Sequence, residues 1–102
     1  MDNKTIQWLA GGNIMVSKEI VIQNESGLES KIAARLIQKA SSYKASIWIE
    51  KESRRANAKS LLGILSLSIS KGERVLLIAD GADEEQALQE LELFTNRGMT
   101  DQ

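Results

Sequence analysis

Four consecutive apolar residues, Val75-Leu76-Leu77-Ile78, constrain this chain more than any other stretch. They lie within Glu73 to Asp80, between the turn signals Ser70-Lys71-Gly72 and Gly81-Ala82. A strand that is apolar on both faces belongs in the middle of a sheet, flanked and covered. The remaining apolar segments alternate or repeat at helical spacing, so they supply the flanking strands and the covering layer.

In chain order, Ser17 to Gln23 reads as a strand with Ile20 and Ile22 on one face. Asn24-Glu25-Ser26-Gly27 is a turn. A helix follows from about Lys31 to Ser42, with Ser30 as its cap and Ile32, Ala33, Leu36, Ile37 and Ala40 as one apolar stripe. Ala45 to Glu50 alternates, with Ile47 and Ile49 inward and Ser46, Trp48 and Glu50 outward. Lys51-Glu52-Ser53-Arg54 turns the chain into a short return strand, Arg55-Ala56-Asn57. After the central strand, Asp83 is placed to cap a last helix, with Gln86 completing a capping box. Ala87, Leu88, Leu91 and Phe94 form its buried stripe and Gly98 stops it.

The order is strand, helix, strand, strand, short helix, strand, helix. An α+β fold, with three helices on one face of a four-stranded antiparallel sheet, satisfies it with short connections. Met1 to Asn13 precedes the first good strand signal and contains Ile6, Trp8, Leu9 and Ala10, broken by Gly11-Gly12. The chain divides into an N-terminal extension (1–14), one domain (15–97) and a C-terminal tail (98–102). The tryptophan in the extension favours packing onto the domain.

Composition removes several function classes. With no histidine there is no histidine-based triad, no histidine metal site and no phosphohistidine. With no cysteine there is no disulfide, no thiolate nucleophile and no cysteine metal site. A formal net charge of -1 disfavours direct binding to nucleic acid or an anionic membrane. No apolar run reaches membrane-spanning length and no signal pattern opens the chain, so a cytoplasmic location is expected. Nothing in the pattern calls for a metal or cofactor.

Ser60 stands directly before Leu61-Leu62-Gly63-Ile64-Leu65. A serine there is suited to cap a short helix, its hydroxyl accepting from a free backbone N–H. A phosphate on it would meet the positive end of that helix, beside an apolar surface. The other reading is an ordinary cap on a buried amphipathic helix.

Asn24-x-x-Gly27-Leu28, Ala33-Ala34, Lys59-Ser60-Leu61-Leu62-Gly63, Ser66-Leu67, Lys71-Gly72 and Gly81-Ala82-Asp83-Glu84 occur in the order and spacing of one family. From about Lys18 to Phe94 the chain resembles HPr, the histidine-containing phosphocarrier of the bacterial sugar phosphotransferase system. The resemblance implies an open-faced β-sandwich. It also implies a phosphocarrier site at the start of the first helix, where the family has Gly-Leu-His-Ala-Arg-Pro-Ala. Here the segment reads Gly27-Leu28-Glu29-Ser30-Lys31-Ile32-Ala33. Glu29 replaces the phosphoryl-accepting histidine, Lys31 the arginine and Ile32 the proline. Lysine keeps the charge but loses the planar fork that grips phosphate. Glu29 reads either as an acid favourable at a helix start or as a fixed imitation of a phosphorylated site.

A second family site is retained. In Gram-positive relatives the serine opening the short helix is phosphorylated by HPr kinase/phosphorylase, and the product is a corepressor for a LacI-type catabolite regulator. Ser60 matches that serine. Some relatives, such as the catabolite-repression protein Crh, also lack the histidine. The resemblance implies a non-enzymatic regulatory adaptor of the phosphotransferase system, with Lys59, Leu61, Leu62 and Leu65 as its partner-binding surface. It implies partial exposure of Leu61, Leu62 and Leu65, while Ile64, Leu67 and Ile69 are read as core. Two other readings stand beside it: a phosphotransfer intermediate using Glu29, and an HPr-fold interaction domain without phosphate regulation.

Overall fold

The computed structural model describes residues 6–10 and 13–99. The elements are β1 (Ile6–Ala10), β2 (Asn13–Val21), α1 (Ser30–Ala40), β3 (Ser46–Lys51), β4 (Arg54–Asn57), α2 (Leu61–Ser66), β5 (Arg74–Asp80) and α3 (Glu84–Asn96). All neighbouring strands are antiparallel, in the order β1-β2-β5-β3-β4. The expected four-stranded sheet is β2-β5-β3-β4, with the apolar run of β5 between two partners. A fifth strand was not expected. β1 pairs with β2 in the register Ile6↔Ser17 to Ala10↔Asn13. Residues 1–5, 11–12 and 100–102 lie outside the described residues, as does the packing expected of the Trp8 side chain.

Strand alternation sets the inner face. Val75, Leu77 and Ala79 of β5 are buried, with Ile20, Lys18 and Val16 as register partners in β2. Ile47 and Ile49 of β3 complete that face from the other side. Against it pack Ala33, Leu36 and Ala40 of α1, Ile64 of α2, and Ala87, Leu88 and Leu91 of α3. Lys18 sits in the same inward row, and its ammonium pairs with Glu92 of α3 at 3.2 Å. The opposite face is not bare. Ile78 is fully buried there, with Trp48 and Ser17 as register partners. The Arg55 guanidinium lies 5.8 Å from the centroid of the outward Trp48 ring and also pairs with Glu50.

Three local expectations are corrected. The helix cap is Glu29, not Ser30, which is the first helical residue of α1. Asp83 occupies the cap position of α3 but makes no capping hydrogen bond. Its carboxylate instead accepts from Lys44 N at 2.9 Å and Ala45 N at 2.8 Å. Gln86 does not complete a capping box; it donates to Glu90, while Glu84 accepts from Gly81 N at 3.0 Å. Thr95 and Met99 are buried and were not anticipated as core. Gly98, at φ +75°, turns the chain after α3 so that Met99 N reaches Phe94 O at 2.9 Å.

Candidate functional site

The first half of the site is the entrance to α1. Asn24 Nδ2 donates to Gly98 O at 2.6 Å, anchoring the loop after β2 to the end of α3. Gly27 has φ +66°, and a Cβ there would lie 2.3 Å from Ile69 O. That close approach lets Leu28 N donate to Ile69 O at 3.0 Å. The next residue is then extended: Glu29 has φ -81° and ψ 176°, and its backbone O receives the first helical hydrogen bond from Ala33 N. Glu29 Oε1 accepts from Lys31 N at 3.2 Å, which satisfies one free donor of the first turn. Glu29, Ser30 and Lys31 are all exposed.

The second half is the entrance to α2, which packs beside α1. Asn57 Oδ1 accepts from Lys59 N at 2.8 Å and Asn57 O from Ser60 N at 3.0 Å, turning the chain out of β4. Ser60 is the cap, with φ -116° and ψ 117°, and its half-buried hydroxyl accepts from Gly63 N at 3.1 Å. The leucines that follow are graded: Leu62 is 80% exposed, Leu61 41%, and Leu65 is half-buried against the core. Ile64, Leu67 and Ile69 are core. Lys59, expected on the partner-binding surface, is half-buried. Its ammonium donates to Tyr43 O and Ala45 O, each at 3.0 Å, so it ties the α1–β3 connection.

Residues 16–97 match the family model for the PTS HPr component phosphorylation site. The chain belongs to the HPr family. It is 36% identical over 83 residues to the HPr-like protein Crh of Halalkalibacterium halodurans, across 81% of this chain and 99% of that protein. Crh of Bacillus subtilis is also 36% identical, over 80 residues, 78% of this chain and 94% of the relative. Among solved structures, HPr-C-His from Thermoanaerobacter tengcongensis superposes with a TM-score of 0.80 at 38% identity, covering 84% of this chain and 97% of that one. The Crh crystal structure from Bacillus subtilis, a domain-swapped dimer, gives a TM-score of 0.66 at 35% identity over 76% of this chain and 90% of that one. HPr and Crh are phosphocarrier and regulatory proteins.

Relative to that family site, several supporting residues were not read from the sequence. Gly63 leaves room for the Ser60 hydroxyl: a Cβ there would sit 3.2 Å from Ser60 Oγ and 3.3 Å from Ala56 Cβ. The far end of α2 is closed by two cations. Lys51 Nζ donates to Ser68 O at 2.8 Å and pairs with Glu73 at 2.9 Å. Arg54 reaches Ser66 O and Leu67 O at 3.4 and 3.3 Å. The carboxyl of Glu73 is held below its ordinary range by the backbone N–H of Ser70 and then by Lys51. Among the described residues, no cluster of three or more metal-ligating side chains occurs, and no helix is long and apolar enough to cross a membrane.

Proposed function

We propose that this HPr-family chain is a regulatory adaptor of the catabolite-repression type, controlled by phosphorylation of Ser60. Its degenerate phosphocarrier site, at Glu29, Ser30 and Lys31, does not relay phosphoryl groups. The observation that carries the reading is the Ser60 hydroxyl, capping α2 at 3.1 Å from Gly63 N directly before Leu61 and the 80%-exposed Leu62. A phosphoryl group there adds a charge of about -1.5 to -2 beside an apolar contact surface. The free N–H groups of α2 favour that charge, so the domain stays folded and the effect falls on binding. An arginine-bearing partner is recruited and an acidic one repelled. The family supplies the candidates: HPr kinase/phosphorylase as modifying enzyme and a LacI-type catabolite regulator as partner. Crh relatives at 36% identity support this branch.

Glu29 Oε1 accepts from Lys31 N as a helix cap, and a carboxylate differs in charge and shape from the imidazole to which the family's transferring enzyme delivers phosphoryl. The test has two arms. Incubation with HPr kinase/phosphorylase and ATP is expected to add one phosphate, located on Ser60 by mass spectrometry and absent in Ser60→Ala. Incubation with phosphoenolpyruvate and the general transferring enzyme is expected to leave the chain unlabelled. Labelling at Ser66 or Ser68 instead, or phosphoenolpyruvate-derived label lost in Glu29→Ala, would overturn the assignment. No labelling in either arm would leave an HPr-fold interaction domain without phosphate regulation.

A further inference from the structure

A second surface lies on the other flank of α1. Arg35, Gln38, Lys39 and Ser42 line one wall of a groove, and Phe94 of α3 enters it. An adjoining depression shares Lys39 and Phe94 and adds Glu90, Leu93 and Arg97. Arg35, Gln38 and Lys39 share one face of α1, and Glu90, Leu93 and Phe94 one face of α3, with Ser42 and Arg97 just past the helix ends. The groove therefore runs along two helices rather than forming a closed pit. Its wider part encloses about 270 Å³, below the ~300 Å³ at which small-molecule pockets begin. That is room for a side chain delivered by another protein.

The chemistry of the walls selects the partner. Arg35, Lys39 and Arg97 against Glu90 leave the groove with an excess of positive charge, in a chain whose net charge is -1; Arg35 also donates to Met99 O at 3.4 Å, a neutral carbonyl that leaves its charge in place. The carboxylate, Glu90, is already engaged: Tyr43 Oη donates to it at 2.5 Å, Gln86 Nε2 at 3.2 Å, and Lys39 Nζ lies 3.8 Å away. The Tyr43 hydroxyl, then Gln86 and the Lys39 charge, hold the Glu90 carboxyl below its ordinary range. The apolar contribution is Phe94, half-buried, and Leu93, 53% exposed and away from the α3 stripe that faces the core. An apolar centre with a cationic rim fits an acidic segment carrying an apolar side chain.

We propose that the α1–α3 groove is a docking site for an acidic protein segment that inserts one leucine or phenylalanine against Leu93 and Phe94. The groove contains neither Ser60 nor Glu29, so it stands independently of phosphorylation at α2. It would let the chain hold one partner through α2 and another through α3.

The probe is a short synthetic peptide of glutamates around a Leu-Phe centre, titrated into the ¹⁵N-labelled full chain. A matched peptide with lysines in place of the glutamates is the control. The expected result is saturable amide shifts confined to the neighbourhood of Gln38, Lys39, Leu93 and Arg97, with the lysine peptide silent. Gln38→Glu, an exposed and isosteric change, adds an anion to the wall without removing any contact described above. It is expected to weaken binding by about threefold or more, and Leu93→Ser by a similar factor. Absence of shifts at ~1 mM peptide, equal binding of the lysine peptide, or shifts centred on Leu61 and Leu62 would each overturn the proposal. So would capture by phosphatidylglycerol vesicles without peptide binding, or shifts that follow protein concentration alone, which mark a lipid surface or a second copy as occupant.

Discussion

At the start of α1, Glu29 Oε1 accepts from the N–H of Lys31 at 3.2 Å; at the start of α2, Ser60 Oγ accepts from the N–H of Gly63 at 3.1 Å. Both residues are extended and both satisfy a donor that a helix leaves free. They differ in what can still happen to them. Glu29 is exposed and carries a carboxylate. Ser60 is half-buried and neutral, and exposed leucines follow it. The first entrance presents a carboxylate, and the second presents the hydroxyl on which the proposed phosphorylation would act. The fold keeps both helix starts with different capping chemistry.

The two entrances are held together through Ile69, which follows α2 and accepts from Leu28 N. Breaking that link has the largest expected effect. In Gly27→Ala the new Cβ would lie 2.3 Å from Ile69 O in a backbone conformation with φ +66°. A loss of about 3 kcal/mol is expected in urea denaturation, with the Lys31 amide resonance displaced as Glu29 leaves its cap position. Unchanged stability would show that the loop has another conformation and that Glu29 caps α1 without Gly27. Next in size is Ser60→Ala, at about 1 kcal/mol for a lost cap. Glu29→Ala, at an exposed position, is expected to cost less. If Glu29→Ala were the more damaging of the two in the same denaturation assay, the fixed cap rather than the modifiable one would be the structural anchor.

How much of this was legible follows the range of the interactions. The helix and strand order, the central place of β5 and the Ser60 cap were readable, because periodicity and cap preference are local. The exposure of Leu61 and Leu62 was not readable from periodicity, which would bury most of the run; the family resemblance supplied it. The Glu29 cap was missed because serine is the better cap by preference, and the choice was made by Gly27 packing against Ile69, far along the chain. The bonds of the Lys59 ammonium to Tyr43 O and Ala45 O were not legible for a similar reason, since both acceptors lie far along the chain. β1 carried no strand signal of its own, and its place at the sheet edge comes from pairing with β2. The α1–α3 groove needed both helices side by side before two unremarkable stripes became one surface.

A third helix start sharpens the contrast. Asp83 precedes α3 as Glu29 precedes α1, yet its carboxylate accepts from Lys44 N and Ala45 N instead of capping its own helix. The Lys44 N–H is the main cause, with Ala45 N–H adding to it, of an Asp83 carboxyl held below its ordinary range. A depressed folded-state value contributes stability that is present above the unfolded value, about 3.9, and is lost as pH falls through the folded one. Asp83→Asn keeps one acceptor oxygen and removes the titration. The gap in melting temperature between the wild-type chain and Asp83→Asn is therefore expected to be widest near neutrality and to shrink below about pH 4. Glu73 and Glu90, whose carboxyls are also held low, titrate in both proteins and do not alter that gap. The gap for Ser60→Ala is expected to stay level across the same range, because a hydroxyl does not titrate there. A constant gap for Asp83→Asn would mean that the aspartate holds the α1–β3 connection by hydrogen-bond geometry alone. Its negative charge would then be incidental, and Asp83, like Ser60, would act as a hydrogen-bond acceptor alone.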